Sequence, residues 1–409
     1  MKKLYGNAIV GQSGGPTAAI NATLAGVIKG ALECDAIKTL YGMRNGIEGM
    51  LGERMIDLSA RFEGGRDLDA LIHTPAAALG SCRKKLPNPD SEKAEDIAFF
   101  EKVFEIFRKY DIRYFFYIGG NDSMDTVAKL SEYTKECDYE MRVIGVPKTI
   151  DNDLPLTDHT PGFGSAAKYV ATTVKEIVRD SSVYAVKSVT IVEIMGRDTG
   201  WLTASSAVLR AVGEPAPHLI YLPESEFSIQ KFLNDVREVQ KQHHAVIVAV
   251  SEGVELDTDD DFQSGNVDNF GHKYLAGIGK ALEKIVSKEL GCKVRSIELN
   301  VMQRCASHIS SRTDINEAEK IGSAAVVAAL NGETGKMMIF TRMEGEKYEV
   351  GIDSADILGI ANAVRSVPRN YINERGNNVT DECLSYIAPL IIGEPALVFK
   401  GGMPKPFSF

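Results

Sequence analysis

GVPKTIDND, residues Gly145–Asp153, is the stretch of sequence around which the rest of the chain is organised. It continues the short run Arg142–Ile144, which predicts the end of a buried strand. Because α/β sheets bind ligands at the carboxyl ends of their strands, the loop is a candidate functional site. Asp151 and Asp153 could act as a general base and as the organiser of a metal ion or phosphate. The alternative is a plain turn, since Asp and Asn favour turns.

Two strand–glycine–helix units precede this stretch. The strand Ala8–Val10 leads into the loop Gly11–Thr17 (GQSGGPT) and then into a helix, a layout that offers backbone N–H groups to a phosphate. The loop has neither a Walker nor a G-x-G-x-x-G sequence. The strand Ile112–Ile118 leads into Asn121–Ser123, whose acidic group beside a phosphate site would imply Mg²⁺. The alternative is that these polar residues only cap the helix.

Polar or charged residues also follow three later apolar runs. The run and its loop are Ser188–Ile194 with Met195–Gly200, Ala245–Val250 with Ser251–Gly253, and Val294–Leu299 with Gln303-Arg304. Continuous β-branched runs separated by helical patterns predict a parallel sheet covered on both faces. Elsewhere, Arg83-Lys84-Lys85 follows a Gly-Ser-Cys turn and could clamp phosphate oxygens or lie on a solvated surface turn.

Composition restricts the class of protein. The 409 residues are 44% hydrophobic and 25% charged, typical of a globular chain, and a net charge of −10 argues against a nucleic-acid or anionic-membrane surface. The N-terminal sequence is not that of a signal peptide, and no run approaches the length of a membrane span. The six cysteines include no C-x-x-C pair, which favours a reduced, cytoplasmic protein without a zinc cluster. The acidic stretch 255–269 predicts an exposed loop.

The motifs taken together resemble one known family. They are Gly-Gly-Asn-Asp-Ser at 119–123, Pro-Lys-Thr-Ile-Asp-Asn-Asp at 147–153, Met-Gly-Arg at 195–197, Ser-Glu-Gly at 251–253 and Gln-Arg at 303–304. Their types and order resemble the phosphofructokinase family, and most closely its pyrophosphate-dependent branch, from about Ile9 to about Asp353. Pro-x-Thr-Ile-Asp-Asn-Asp and Met-Gly-Arg are specific enough to make their chance co-occurrence negligible.

The resemblance implies a fold and an assembly. The fold would be α/β, with two doubly wound, mostly parallel-sheet domains and the active site in the cleft between them. A phosphoryl-donor domain would contain residues 1–162 plus about 304–350. A sugar-phosphate domain would contain residues 163–303 plus about 351–409, which include a C-terminal extension. The family also implies a homodimer or homotetramer.

The resemblance also implies a reaction. It is the reversible, Mg²⁺-dependent phosphorylation of fructose 6-phosphate by pyrophosphate to fructose 1,6-bisphosphate, a step of glycolysis and gluconeogenesis. The partners would be these small molecules, with no nucleic acid and no membrane. One alternative is an ATP-dependent 6-phosphofructokinase. Another is a non-catalytic regulatory subunit that binds sugar phosphates.

The family's site residues can be carried over position by position. Catalysis would involve Asp151 as the base for the 1-hydroxyl, with Arg197, Lys148 and Asp122. Donor binding would use Gly15, Arg83, Asp122 and Lys148. Fructose 6-phosphate would contact Thr149, Ile150, Asp151, Met195, Gly196, Arg197, Glu252, Arg295 and Arg304. Of these, Arg295 and Arg304 would hold the 6-phosphate, and one of them could reach in from a neighbouring subunit. Asn121 and Asp153 would bind the metal ion.

Several positions depart from related sequences. Asn121 stands where many relatives have Asp, so the metal ion would gain an oxygen ligand without a charge. Val301 stands where relatives often have an aromatic residue or His, three residues before Arg304. Near Ser188, where some relatives have Arg, only Lys187 is available as a possible phosphate contact. Asp122 and Lys148 both stand where ATP-dependent relatives have glycine, which favours pyrophosphate as the donor.

Overall fold

The computed structural model describes residues 3–257 and 277–409. Most of the stretch 255–269, for which the sequence predicts an exposed loop, lies outside these residues. The strands are β1 Gly6–Gln12, β2 Ile37–Met43, β3 Met55–Asp57, β4 Ile112–Gly119, β5 Arg142–Pro147, β6 Ser188–Ile194, β7 Leu219–Tyr221, β8 Ala245–Ser251, β9 Lys293–Glu298, β10 Lys336–Arg342, β11 Val350–Asp356, β12 Phe399–Lys400 and β13 Met403–Pro404. The helices are α1 Ile20–Leu32, α2 Gly46–Leu51, α3 Leu58–Arg61, α4 Leu68–Ile72, α5 Ala94–Lys109, α6 Asn121–Glu136, α7 Phe163–Ser181, α8 Trp201–Ser205, α9 Ile229–Val239, α10 Ile278–Leu290, α11 Met302–Cys305, α12 Arg312–Leu330 and α13 Asp381–Ile387.

Two sheets organise the described residues. The first has the strand order β11-β10-β5-β4-β1-β2-β3, and its inner pairs β10–β5, β5–β4, β4–β1 and β1–β2 are parallel. Its edge strands β11 and β3 pair antiparallel to their neighbours. The second sheet has the order β7-β8-β6-β9, and all its pairs are parallel. The predicted α/β fold with mostly parallel sheets is confirmed.

Each sheet is covered by helices on both faces, as the continuous apolar strands predict. In β4, Tyr114 and Phe116 pack into one hydrophobic cluster with α1 and α12, while Phe115 and Tyr117 pack into another with α5 and α6. In the second sheet, one face packs against α7, α8 and α13 and the other against α9 and α10. Because successive strand side chains alternate between faces, a strand buried on both sides is mostly apolar. A polar residue in it needs a hydrogen-bond partner, as Glu193 of β6 has in the N–H groups of Gly277 and Gly279.

The chain passes from the first sheet to the second and then returns. Helix α12 packs against α1 beside the first sheet, and β10 and β11 extend that sheet beyond β5. Strand β11 pairs with β10 from Val350 to Asp356, so these residues lie in the first sheet. The family resemblance had implied that the chain from about residue 351 onwards belongs to the sugar-phosphate domain instead. The other domain limits stay a prediction.

The C-terminal residues contact both units. Helix α13 packs into the hydrophobic cluster on the second sheet. The irregular tail then returns to the first unit, where the ring of Phe407 lies 5.4 Å from that of Phe62. In the described part of the chain, no helix combines the length and the apolar character that a membrane crossing needs. All six cysteines lie in the described ranges, and none forms a disulfide.

Candidate active site

The loops at the carboxyl ends of the central strands of both sheets meet around one cavity of about 370 Å³. Most of the residues predicted for the site line it: Gly15, Arg83, Asn121, Asp122, Lys148, Thr149, Ile150, Asp151, Asp153, Met195, Arg197, Glu252 and Arg304. Parallel strands place their carboxyl ends at one edge, which is why residues far apart in sequence converge here.

The loop after β5 supplies the carboxylates. The hydroxyl of Thr149 lies 3.3 Å from Oδ2 of Asp151 and accepts a hydrogen bond from the backbone N–H of Asp151 at 3.1 Å. The buried Asn152 has a positive φ of 55°, and its side-chain oxygen accepts a hydrogen bond from Thr160 N–H at 3.0 Å. These contacts fix the loop in a conformation that a plain surface turn would not need.

Burial dominates the electrostatics of this loop. It raises the pKa of Asp151, against the opposing effect of the cations Lys148 and Arg304. It also raises the pKa of Asp153 to about 7, with a further contribution from the charge of Asp151. Lys148 is 3% exposed as a residue, and burial lowers the pKa of its ammonium to about 8. Such shifts are typical of groups that bind or move protons in an active site.

The glycine loop after β1 lies against Lys148. The ammonium donates a hydrogen bond to the carbonyl of Gly15 at 2.8 Å. Gly14 has a φ of 77°, and a Cβ at that position would lie 3.2 Å from the Lys148 nitrogen. The hydroxyl of Ser81 donates to the carbonyl of Gly14 at 2.7 Å, which holds the turn that carries Arg83 beside the glycine loop. Lys148 does not lie on the surface, because its side chain is enclosed by these loops.

Asp122 projects from the first turn of α6 into the same part of the cavity. The helix cap is Gly120, so Asp122 and Ser123 are not the capping residues that the alternative interpretation required. Lys85 lies 3.6 Å from an oxygen of Asp122, and both side chains are about half exposed. The run that begins at Arg83 therefore faces the cavity.

The geometry around Asp153 fits a divalent cation. The amide nitrogen of Asn121 donates to Oδ2 of Asp153 at 3.1 Å, and the buried Oδ1 of Asn121 has no hydrogen-bond partner among the described residues. The raised pKa of Asp153 reflects burial next to the like charge of Asp151, which a cation would relieve. The described part of the chain has no cluster of three or more His, Cys, Asp or Glu ligands, so Mg²⁺ would have to share its coordination with water or substrate oxygens.

The second sheet supplies the other wall. The backbone N–H of Gly196 donates to Oε1 of Glu252 at 3.3 Å, and the Ser251 hydroxyl donates to the carbonyl of Gly196 at 2.6 Å. Gly196 has a φ of 139°, and a Cβ there would lie 2.4 Å from a backbone oxygen. Burial raises the pKa of Glu252 to about 7. The buried Nε of Arg197 has no partner among the described residues, although the side chain lines the cavity.

The two arginines predicted for the sugar phosphate are separated. Arg304, on α11, lines the cavity, and its charge lowers the pKa of Asp151. Arg295 pairs with Asp180 at 3.0 Å near the amino-terminal end of β9, away from that cavity. Arg295 does not line the cavity of its own chain, because it lies towards the start of β9 and that strand points its carboxyl end towards the cavity. The alternative that it reaches a neighbouring subunit stays a prediction.

The cavity also has residues that the motifs did not identify. Asp198 directly follows Met-Gly-Arg, and its charge contributes to the raised pKa values of Asp151 and Asp153. Asn362 and Val364 come from the segment after β11. Their position beyond the recognised motifs left no sequence signal for them.

Comparison with known proteins identifies what this chain is similar to. The sequence model described as phosphofructokinase matches residues 7–329. A Halomonas elongata protein named pyrophosphate–fructose 6-phosphate 1-phosphotransferase is 40% identical over 98% of this chain and 95% of the relative. A protein of the same name from Xanthomonas campestris pv. campestris is 41% identical over 98% of this chain and 95% of the relative. The crystal structure of a pyrophosphate-dependent phosphofructokinase from Nitrosospira multiformis matches with a TM-score of 0.86 and 36% identity, over 98% of this chain and 96% of that chain.

Proposed function

The chain belongs to the phosphofructokinase family, and we propose that it transfers a phosphoryl group reversibly from pyrophosphate to the 1-hydroxyl of fructose 6-phosphate. It is a phosphotransferase, and its products are fructose 1,6-bisphosphate and orthophosphate. The reaction belongs to glycolysis and can also run in the gluconeogenic direction, because similar phosphate bonds stand on both sides.

The buried ammonium of Lys148 is the observation that carries the choice of donor. It lies on the glycine loop, within hydrogen-bond distance of Gly15, where a short phosphoryl donor would bind. Asp122 adds a carboxylate to the same end of the cavity. The negative charge of Asp122 disfavours binding of ATP, because it would repel the additional phosphate of the nucleotide. The ammonium of Lys148 stabilises the negative charge that develops on the leaving phosphate.

Asp151 would accept the proton of the 1-hydroxyl as the oxygen attacks the terminal phosphorus of pyrophosphate. The new O–P bond forms on the sugar, the bridging P–O bond breaks, and orthophosphate leaves. Thr149 orients Asp151 through the hydroxyl contact at 3.3 Å. Arg83, Arg197 and Lys148 would neutralise charge on the phosphates, which is the main requirement of phosphoryl transfer.

Asp153 and Asn121 would hold Mg²⁺, because together they offer a desolvated carboxylate and a buried amide oxygen without a partner. The ion would supply charge neutralisation between donor oxygens. On the sugar side, Met195, Gly196, Glu252 and Arg304 would bind fructose 6-phosphate, with Arg304 at the 6-phosphate. We further propose a cytoplasmic location, since unpaired cysteines suit a reducing compartment, and a homo-oligomer, which the family resemblance implies.

The direct test follows the products. Purified protein is incubated with Mg²⁺, fructose 6-phosphate and pyrophosphate, and ³¹P NMR follows the phosphorus species. We expect equal amounts of fructose 1,6-bisphosphate and orthophosphate, and pyrophosphate when the reaction starts from those two products. Hydrolysis of pyrophosphate without a phosphorylated sugar, or no change in any signal, would contradict the proposal.

A further inference from the structure

Arg365 lies beyond residues 7–329, which the family model matches. Its side chain forms hydrogen bonds with the backbone of the loop that carries Asp151. Its guanidinium donates to the carbonyl of Asn152 from Nη2 at 2.8 Å and from Nε at 3.3 Å. Nη1 donates to the carbonyl of Thr157 at 2.8 Å and also to that of Asp158. The backbone N–H of Arg365 donates to the carbonyl of Asp153 at 2.7 Å. One residue thus binds the loop on both sides of its turn.

The held residue, Asn152, is the one that needs support. Its φ of 55° lies in the left-handed region, which is uncommon for residues other than glycine but is tolerated better by Asn than by most, and it lies between the two site carboxylates. Its amide nitrogen donates to the hydroxyl of Tyr386 at 2.9 Å, and that hydroxyl also lies 3.4 Å from Nη2 of Arg365. A strained backbone persists only where its surroundings enforce it.

The same segment also contacts the unit built on the second sheet. The indole N–H of Trp201 donates to the carbonyl of Arg365 at 3.0 Å, and the guanidinium lies 4.8 Å from the Trp201 ring centre. Two residues on, the N–H of Val367 donates to Glu224 at 2.9 Å. The same carboxylate accepts from the N–H of Gly200 at 3.0 and 3.1 Å, just after the Met-Gly-Arg loop. Residues 365–367 therefore form hydrogen bonds both to the loop that carries Asp151 (the base loop, residues 148–160) and, through Glu224, to the end of the Met195–Gly200 loop.

We propose that Arg365 is a positioning residue, which holds Asp151 at its reacting position by binding the carbonyls of the strained loop and anchoring that loop to the Met-Gly-Arg side. Arg365 does not line the cavity, so it acts through the loop and not on substrate. A flat guanidinium offers five donors in a fixed fork, whereas an ammonium is a point charge with three donors, so a lysine could reproduce only part of these contacts. This inference rests on the proposed function for its kinetic test.

The test compares Arg365→Met and Arg365→Lys with wild type and with Arg369→Met. Arg369 is a matched control, because its guanidinium also binds backbone carbonyls, those of Ile372 at 2.8 Å and Asn373 at 3.2 Å, but not the base loop. We expect kcat of Arg365→Met to fall about 10- to 100-fold, as small misplacements of a reacting group do. The KM values for fructose 6-phosphate and pyrophosphate should change less than about threefold, since the binding side chains remain. Arg365→Lys should recover part of the loss, and Arg369→Met should match wild type.

Hydrogen–deuterium exchange gives a readout that does not depend on activity. In Arg365→Met, amides of peptides covering residues 148–160 should exchange faster than in wild type or Arg369→Met, while peptides from β4 and β8 stay unchanged. If wild type has no activity with pyrophosphate, the proposed function fails and exchange alone decides the role of Arg365. The proposal would be overturned by a kcat of Arg365→Met within twofold of wild type, or by unchanged exchange in the base loop. It would also be overturned if Arg365→Met and Arg365→Lys lost equal activity in proportion to a loss of folded protein.

Discussion

Lys148 shows at the scale of a single residue how the fold changes chemistry. A lysine in water has a pKa of 10.5, and burial lowers the pKa of this one to about 8. The nearby carboxylates of Asp151 and Asp153 oppose that shift without cancelling it. The ammonium is therefore charged at neutral pH but close to losing its proton.

The pH dependence of donor use should report this group. As the pH rises through about 8, Lys148 loses its proton and its charge. We therefore expect kcat/KM for pyrophosphate to fall above this pH, by roughly tenfold per unit once the group is neutral. Lys148→Arg should keep its charge and lack this limb, although its overall rate could be lower. An identical alkaline limb in Lys148→Arg would assign the titration to another group or to pyrophosphate itself.

Asp151 gives the second prediction at this scale. Asp151→Asn keeps the shape of the side chain and its contact with Thr149 but cannot accept the sugar's proton. We expect kcat to fall about 10²-fold or more, the usual contribution of a general base. Binding of fructose 6-phosphate, measured by isothermal titration calorimetry, should change little. Turnover at the wild-type rate would exclude Asp151 as the base.

The sequence was most informative for residues inside contiguous motifs. Asp151, Lys148 and Glu252 were identifiable because the loop that carries each follows a strand directly. Asn362, which lines the cavity, and Arg365, which binds the loop behind it, could not be identified, because the position of their segment depends on how the C-terminal residues fold back. For Arg295, the residue type suggested phosphate binding, but the sequence could not show that the side chain lies towards the start of β9, away from the cavity.

Helices α1 and α12 show how single elements fix the architecture. Both are rich in small residues where they cross, and the hydroxyl of Ser323 donates to the carbonyl of Gly26 at 2.9 Å. A Cβ on Gly26 would lie 1.9 Å from the carbonyl oxygen of Glu319, and one on Gly322 would lie 2.1 Å from that of Thr23. The returning chain can dock on α1 only because glycine occupies both points.

Gly26→Ala should destabilise the protein for this reason. A glycine-to-alanine change inside a helix ordinarily stabilises it by roughly 0.5–1 kcal/mol. Here we expect overpacking to lower the free energy of unfolding by about 1–3 kcal/mol. Urea denaturation followed by circular dichroism measures the change. Gly30→Ala is the control one turn along, where the nearest atom to a new Cβ is Val326 Cβ at 3.1 Å. A Gly26→Ala protein as stable as the control would contradict the close crossing.

Strand prediction worked best where strands are buried on both faces. The runs that became β4 and β8 are almost continuously apolar, so their composition and length were sufficient to predict them. Strand β11 has alternating polar residues, VGIDSAD, because it is an antiparallel edge strand. That pattern predicts a strand less strongly than a continuous apolar run does. The predicted end of the donor domain, at about residue 350, therefore coincided with the start of β11.

At the scale of the whole molecule, the cavity lies between two sheets that the chain enters and leaves. The first sheet brings the glycine loop, Asp122 and the base loop, while the second brings Met-Gly-Arg and Glu252. The family resemblance predicted both this two-sheet arrangement and a homo-oligomer. The arrangement of the sheets is confirmed, whereas the homo-oligomer stays a prediction.

Arg295 offers a test of that assembly. If it completes the site of a neighbouring subunit, Arg295→Ala and Asp151→Asn should each be poorly active alone. When the two are co-expressed, a mixed dimer would contain one site with both native residues. We expect activity to recover to about a quarter of wild type, since about half of random dimers are mixed and each has one complete site. No recovery in isolated mixed dimers would show that Arg295 does not serve a neighbouring site.

The choice of donor is the central claim, and one measurement tests it most directly. Initial rates are measured with Mg²⁺, fructose 6-phosphate and either pyrophosphate or ATP at equal concentration, for wild type and for Asp122→Gly/Lys148→Gly. We expect wild type to prefer pyrophosphate by on the order of 100-fold or more, as a misplaced like charge in a partly dry site costs several kcal/mol. The double variant should lose pyrophosphate activity and begin to use ATP. Faster wild-type turnover with ATP, or no turnover with either donor, would contradict the assignment.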